Sequence, residues 1–393
     1  MKKIYFDNAA TSFPKAPALS ETVSNFIDNT CVNINRGVYS LSSELSDVVV
    51  DTRMRLAQLF DCDENPLKFC KRIIFTSGVT ASLNMFLRGL LSENDHVVVG
   101  ALEHHAVMRT LYALQKEKGI TFDIAKCDEN GVVSSDSVIA CLKSNTKAVV
   151  INHASNVFGA VSDITSIGEL CREKGIYFAV DTAQTAGVID ISMRKSNIDF
   201  LAFSGHKGLL SLQGIGGFAI SKKLSHELKP TITGGTGSAS HFYTQPDTLP
   251  DKFESGTLNL CGIIALNHSL RYISEIGIEN IRIRELALRK YFVDSLKDEK
   301  DIKIYCADES VDTTAVVSLT FKTCDNAYVA STLERDFDVM TRCGLHCSPL
   351  AHSSMGTYPS GTVRFSFSYF NTESEIDFCV NAIKKILKEN YNA

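Results

Sequence analysis

Short apolar runs of strand length alternate with stretches of helical spacing through the first two thirds of this chain. That alternation restricts the fold more than any other feature. Runs at 72–76, 96–100, 121–125, 148–153, 176–180 and 200–203 read as strands, with 216–220 as a further candidate. Stretches at 81–91, 105–118, 135–143 and 166–174 read as the helices between them. An earlier helix is predicted over 42–60, with Leu45, Val48, Val49, Thr52, Leu56 and Leu59 on one face. Strands alternating with helices imply βαβ units and a mainly parallel sheet. After Leu260 the pattern changes to helical segments at 264–276 and 279–297, strand runs at 302–306, 315–321 and 362–367, and a final helix over 375–389. A chain of 393 residues is too long for one ordinary core. The expectation is an α/β large domain over 15–260 with a mainly parallel sheet flanked by helices. A smaller α+β domain over 261–393 completes it, joined by the N-terminal segment 1–14.

Composition narrows the function classes. The net charge of −5 gives no electrostatic case for nucleic acid. No apolar run is long enough to span a bilayer. The start, Met1 to Asp7, breaks its apolar character at once and does not read as a signal peptide. Twelve cysteines scattered without a CxxC pair suggest reduced thiols in a cytosol, and no metal site is expected.

The candidate chemistry sits at strand ends. The run at 176–180 ends at Asp181, with Gln184 three residues on, and the run at 200–203 delivers Ser204, His206 and Lys207. An acid at one strand end and a lysine at a later one is what pyridoxal phosphate chemistry requires. The lysine amine forms a Schiff base with the cofactor aldehyde. The acid keeps the pyridine nitrogen protonated, so that the ring accepts electrons from the substrate carbon. Either residue alone is more simply a surface lysine or a capping aspartate. Further pieces follow in order. Thr76-Ser77-Gly78-Val79-Thr80 follows a strand and opens a helix, offering backbone N–H groups and the helix dipole to a phosphate. An imidazole of Glu103-His104-His105 could stack on a flat ring, and Asn156 could donate to a phenolate oxygen. Alone, these are equally an ordinary βα turn, a helix start and a turn residue.

Together the residues resemble the class-V aminotransferase family, in its cysteine desulfurase and selenocysteine lyase branch. The resemblance runs from Phe6-Asp7-Asn8-Ala9-Ala10-Thr11 through Asn35-Arg36-Gly37, the Gly78 turn, Glu103-His104-His105, Ser155-Asn156 and Asp181-Thr182-Ala183-Gln184. It continues through Ser204-Gly205-His206-Lys207, Phe253-Glu254-Ser255-Gly256-Thr257, Arg342 to Cys347, and Val363-Arg364-Phe365-Ser366. It implies the pyridoxal phosphate fold type I. It also implies that Lys207 holds the cofactor covalently, Asp181 pairs with the ring nitrogen and His104 stacks. By the same resemblance Asn156 and Gln184 reach the phenolate oxygen, while Val79, Thr80, Ser204 and His206 hold the phosphate. Thr257 would reach the phosphate of a neighbouring subunit, which implies a homodimer. Arg364 would clamp the substrate carboxylate, with Asn35 and Arg342 on the substrate side.

Cys347 separates the branches. The resemblance to the group II desulfurases implies that its thiolate attacks the sulfur of cysteine, releasing alanine and leaving a persulfide for an acceptor or cluster-assembly protein. His346 and Arg342 are expected to assist electrostatically. Two departures stand out: Leu345 replaces the first His of a frequent His-His-Cys, and Asn35 the His of a frequent His-Arg-Gly. Cys343 is read as a relay, a protecting disulfide partner or simply a small loop residue. Selenocysteine lyase activity, another lyase or aminotransferase reaction, and a silent sulfur-trafficking scaffold remain as alternatives.

Overall fold

The computed structural model describes residues 3–34, 37–238 and 241–391. Asn35, assigned to the substrate by resemblance, lies outside the described residues. The chain opens with β1 (Ile4–Tyr5), α1 (Leu19–Asn29), α2 (Ser40–Leu59) and α3 (Pro66–Phe69). The alternating part is β2 (Ile73–Thr76), α4 (Val79–Leu90), β3 (His96–Gly100), α5 (His105–Lys118), β4 (Thr121–Ala125) and α6 (Ser135–Ile139). It continues with β5 (Thr146–Asn152), α7 (Ile164–Lys174), β6 (Tyr177–Asp181), β7 (Phe200–Ser204), β8 (Gly216–Ile220) and α8 (Lys222–Glu227). Then come α9 (Leu260–Ile276), α10 (Ile278–Leu296), β9 (Ile302–Ile304), β10 (Val316–Phe321) and α11 (Asn326–Phe337). The chain closes with β11 (Val339–Met340), β12 (Arg342–Gly344), α12 (Pro349–Ser354), β13 (Thr362–Ser366) and α13 (Glu373–Tyr391).

Seven strands form one sheet in the order β2-β8-β7-β6-β5-β3-β4, in which only β8 runs against its neighbours. Its central strands are continuously apolar because both faces are covered. Val98, Val149, Phe178, Val180 and Leu201 point to one core, with α2 and α9. Val97, Val99, Val150, Ala179 and Ala202 point to the other, with α4 and α5. Each fully buried Val, Leu or Phe among them contributes about 1.5–3 kcal/mol. The chain steps from β3 outward to β4, then returns to place β5 on the far side of β3. Ligands of open α/β sheets bind outside the carboxyl ends of the strands at such a reversal.

A four-stranded antiparallel sheet, β12-β13-β10-β9, carries a third core, with Phe292, Val317, Phe365 and Ile383. The N-terminal segment belongs to this half: β1 pairs parallel with β11, and Phe6 is buried in the same core. Helix α9 does not. Its Ile263, Leu266, Leu270 and Ile273 share a core with Leu45, Val49 and Leu56 of α2. We therefore propose that the two units divide near Gly277, between α9 and α10, rather than at 260. No helix among the described residues is long and apolar enough to cross a membrane.

Candidate active site

The carboxyl ends of β2, β3, β5, β6 and β7 converge on one pocket of about 320 Å³. Val79, Thr80, His104, Asn156, Asp181, Gln184, Ser204, His206, Lys207, Arg342 and Arg364 all line it. Cys347 does not, but it directly follows His346, which does. Thr257 is exposed and stands outside the pocket.

One end of the pocket is built for an anion. Thr76 Oγ1 accepts the Gly78 N–H at 3.1 Å and bonds Ser82 Oγ at 2.9 Å, which sets the turn after β2. Ser204, at the end of β7, accepts the Val79 N–H at 3.2 Å. A Cβ at Gly216 would sit 2.5 Å from Phe203 O and 2.7 Å from Gly78 Cα, so only glycine lets this strand pass beneath the turn. Thr80 and Ala81 belong to the first turn of α4, where backbone N–H groups have no acceptor within the helix. His206 Nδ1 is buried with no partner among the described residues. Burial, then the nearby Lys207 and Lys15, push the His206 ring down to about 4, so it is neutral.

The other groups surround Lys207. Burial lowers its amine to about 8, against the opposing charge of Asp181 and with Arg364 and Arg342 adding to the fall. Burial raises the Asp181 carboxyl, while the Ala183 N–H at 2.8 Å and Lys207 oppose that rise. His104 caps α5, its Nδ1 accepting the Ala106 N–H at 3.0 Å, so the ring proton sits on Nε2. Burial and then Lys207 bring His104 to about 4. Gln184 Nε2 donates to Ala9 O at 3.0 Å. Behind them Glu103 is wholly buried and accepts the Asn152 N–H at 2.6 Å. Burial, then Asp181, hold Glu103 well above the usual carboxylate range.

Cys347 sits on a tight turn between β12 and α12. His346 and Cys347 both adopt left-handed backbone angles, φ 49° and 59°, uncommon for residues with side chains. Arg342 Nη2 lies 3.7 Å from Cys347 Sγ, and the thiol is exposed. Cys347 O accepts the His105 N–H at 2.9 Å, joining the turn to the start of α5. His346 does not serve the sulfur as expected. Its Nε2 points to Thr362 O at 3.1 Å, and burial followed by Arg364 drives the ring down to about 2. It is neutral and carries no charge to the thiol. Arg364 is buried, donating to Asn156 O at 2.9 Å and pairing with Asp7. Cys343 lies on β12, opposite Val363, and both it and Cys347 are free thiols.

A family model, Aminotransferase class-V, matches residues 4–378. The chain belongs to the class-V aminotransferase family. A probable cysteine desulfurase of Pyrococcus abyssi is 30% identical over 98% of this chain and 94% of its own length. A cysteine desulfurase of Haloferax volcanii is 29% identical over 97% of this chain and 88% of its own. Among solved structures, an apo cysteine desulfurase from Thermococcus onnurineus superposes with a TM-score of 0.90 at 29% identity, covering 98% of this chain and 95% of that one.

Within this class-V site, two contributors escaped sequence reasoning. Asp7 was visible only as part of an N-terminal motif, yet it pairs with Arg364 across the chain. Ser348 reads in the sequence only as a loop residue beside Cys347, yet its hydroxyl donates to Asn156 Oδ1 at 2.7 Å. Among the described residues no group of three or more His, Cys, Asp or Glu is placed to hold a metal ion.

Proposed function

We propose that the protein is a pyridoxal phosphate-dependent cysteine desulfurase. The observation that carries this reading is an exposed thiol, Cys347, held 3.7 Å from Arg342 beside a pocket that contains Lys207 and Asp181. The pocket fits the cofactor. Free N–H groups of the first turn of α4, Ser204 and the unpartnered His206 Nδ1 suit a phosphate. The lowered Lys207 amine suits the aldehyde, and the buried Asp181 suits the ring nitrogen. Val79 and Thr80 would flank the phosphate, His104 the ring, and Gln184 the phenolate oxygen.

When bound, the cofactor supplies an electron sink for the substrate α-carbon. The chain's own residues do the rest. Arg364 takes the substrate carboxylate. Lys207 accepts the Cα proton and returns it. Asp181 keeps a proton on the ring nitrogen. The Cys347 thiolate attacks the substrate sulfur, forming an S–S bond as the C–S bond breaks. The electron pair of that bond goes to carbon, a proton completes alanine, and a persulfide stays on Cys347 for transfer to an acceptor protein.

The same reading has two copies of the chain form a dimer in which Thr257 serves the partner's cofactor phosphate. Its exposure outside its own pocket supports this, as do the exposed Ile232, Phe242 and Tyr243 nearby in sequence. Twelve free cysteines fit a reducing, cytosolic setting. The test is direct. Purified protein should show a visible absorbance that borohydride removes, and should convert cysteine to alanine. Lys207→Ala should lose both. Alanine release without cofactor, or normal cofactor absorbance in Lys207→Ala, overturns the reading.

A further inference from the structure

We infer that Asn156 is a positioning residue for the Cys347 nucleophile, acting together with Ser348 as a clamp on the turn. The inference rests on the desulfurase reading only in taking Cys347 as the nucleophile. Both ends of the Asn156 amide are committed to the two neighbours of Cys347. Nδ2 donates to His346 O at 2.8 Å, and Oδ1 accepts from Ser348 Oγ at 2.7 Å. The orientation is fixed chemically, because His346 O can only accept. Asn156 and Ser348 are both buried, so neither bond is exchanged freely for water.

The turn needs such a clamp. His346 and Cys347 stand side by side in the left-handed region, a conformation that persists only where the surroundings over-determine it. The Ser348 hydroxyl stands at the start of α12 but makes no capping bond there. It is spent on Asn156 instead. The backbone of Asn156 links the clamp to the substrate side, since its carbonyl accepts from Arg364 Nη1 at 2.9 Å. Nδ2 keeps a second N–H, and Asn156 also lines the pocket, so one residue touches the carboxylate-binding arginine, the pocket and the nucleophile turn.

A role for Asn156 toward the cofactor alone makes a different prediction for Ser348, which does not line the pocket. The discriminating variant is therefore Ser348→Ala, compared with Asn156→Ala and the unmodified holoenzyme. The readout is hydrogen exchange of the His105 amide, whose N–H bonds Cys347 O from a different element. Ser348→Ala should speed that exchange about fivefold, as expected for one hydrogen bond lost. It should lower kcat for cysteine while leaving KM within about twofold. Asn156→Ala should speed exchange further, and the double variant no more than Asn156→Ala alone, because the two residues form one unit. Wild-type exchange at His105 in both single variants overturns the clamp. So does a Ser348→Ala enzyme with faster exchange but unchanged kcat. If the unmodified protein fails to desulfurate cysteine, the proposed function falls, while exchange at His105 still decides whether Asn156 and Ser348 hold the turn.

Discussion

Arg342 and Arg364 stand directly opposite one another across β12 and β13. Like charges in that arrangement repel, so each needs its own partner. Arg364 has Asp7 and the Asn156 carbonyl, while Arg342 turns toward the Cys347 sulfur. On the proposed function the pair would divide the substrate side of the pocket into a carboxylate end and a sulfur end.

The two arginines should therefore fail differently. Arg364→Lys loses the planar guanidinium that binds a carboxylate in bidentate fashion. KM for cysteine is expected to rise about tenfold, equivalent to about 1.4 kcal/mol of binding. Arg342→Gln removes the cation nearest the sulfur and should lower kcat with a smaller change in KM. Steady-state alanine release separates the two. Equal KM increases in both variants would show that they act on the carboxylate together.

On the proposed function Lys207 should make cofactor loading pH-dependent. Burial lowers its amine to about 8, and only the neutral amine attacks an aldehyde. Below that pH the group is protonated and loading is slow; above it loading approaches a plateau. Stopped-flow uptake of pyridoxal phosphate by the apoprotein should show a midpoint near 8. The Asp181 charge opposes the lowering, so Asp181→Asn should move the midpoint down. An upward move would place another charge in control of Lys207. The sign also applies to apoprotein stability. Unfolding restores the amine to its ordinary value, so the unfolded chain binds more protons between about 8 and 10.5. The Lys207 contribution to stability should rise with pH across that window, and the penalty of burying its charge is fully present below it.

The parts of this fold that show in the sequence are those whose signal is local. β3 occupies the residues that its apolar run marks, because a central parallel strand is buried on both faces; β4, at the sheet edge, also matches its run although only Ala125 is fully buried. The strand ends at Asp181 and Ser204 carry their site residues with them. Helix α1 was not legible: it buries only Leu19 and Phe26, and it starts after Ala18, at φ 58°, without a side-chain cap. Helix α11 likewise follows a plain Asp325 cap with little apolar surface beyond Val329 and Leu333. Helix α9 was legible as a helix, but its packing partner was not, since its contacts with α2 lie some two hundred residues back. At the site, residue identity pointed to Arg364 and Cys347, but Asp7, Ser348 and the inward turn of His346 depend on contacts between distant segments.

The segment around Thr257 should be the most sensitive part of the scaffold. Glu254 receives Arg53 of α2 in a bidentate pair, at 2.9 and 2.7 Å, and also accepts the Phe75 N–H of β2 at 2.7 Å. Both charged side chains are buried. Breaking such a pair from one side leaves an uncompensated charge and costs about 3–5 kcal/mol. Arg53→Met is expected to destabilise by that amount in urea unfolding. Arg194→Met, which breaks exposed pairs with Asp61 and Glu64, should change stability by less than about 1 kcal/mol. Similar losses in both variants would show that Glu254 finds another partner.

Cys347 decides between sulfur abstraction and the other reactions open to a class-V site. Taking sulfur from cysteine requires attack on that sulfur, whereas transamination uses no thiol. On the proposed function Arg364 holds the substrate carboxylate, and among the described residues Arg364 bonds Asn156 O and Asp7 rather than Cys347. Cys347→Ala should therefore bind cysteine with near-normal affinity, seen as an unchanged spectral titration of the holoenzyme. It should release alanine at least about a hundredfold more slowly than wild type. Mass spectrometry of the wild-type protein after one turnover should find one added sulfur on the peptide that contains Cys347. Cys343 should carry none when Cys347 is absent, because it lies within β12, partly covered by the smaller unit's core, rather than on the exposed turn. Wild-type alanine release by Cys347→Ala would remove the desulfurase mechanism and leave a thiol-independent lyase or aminotransferase reaction in its place.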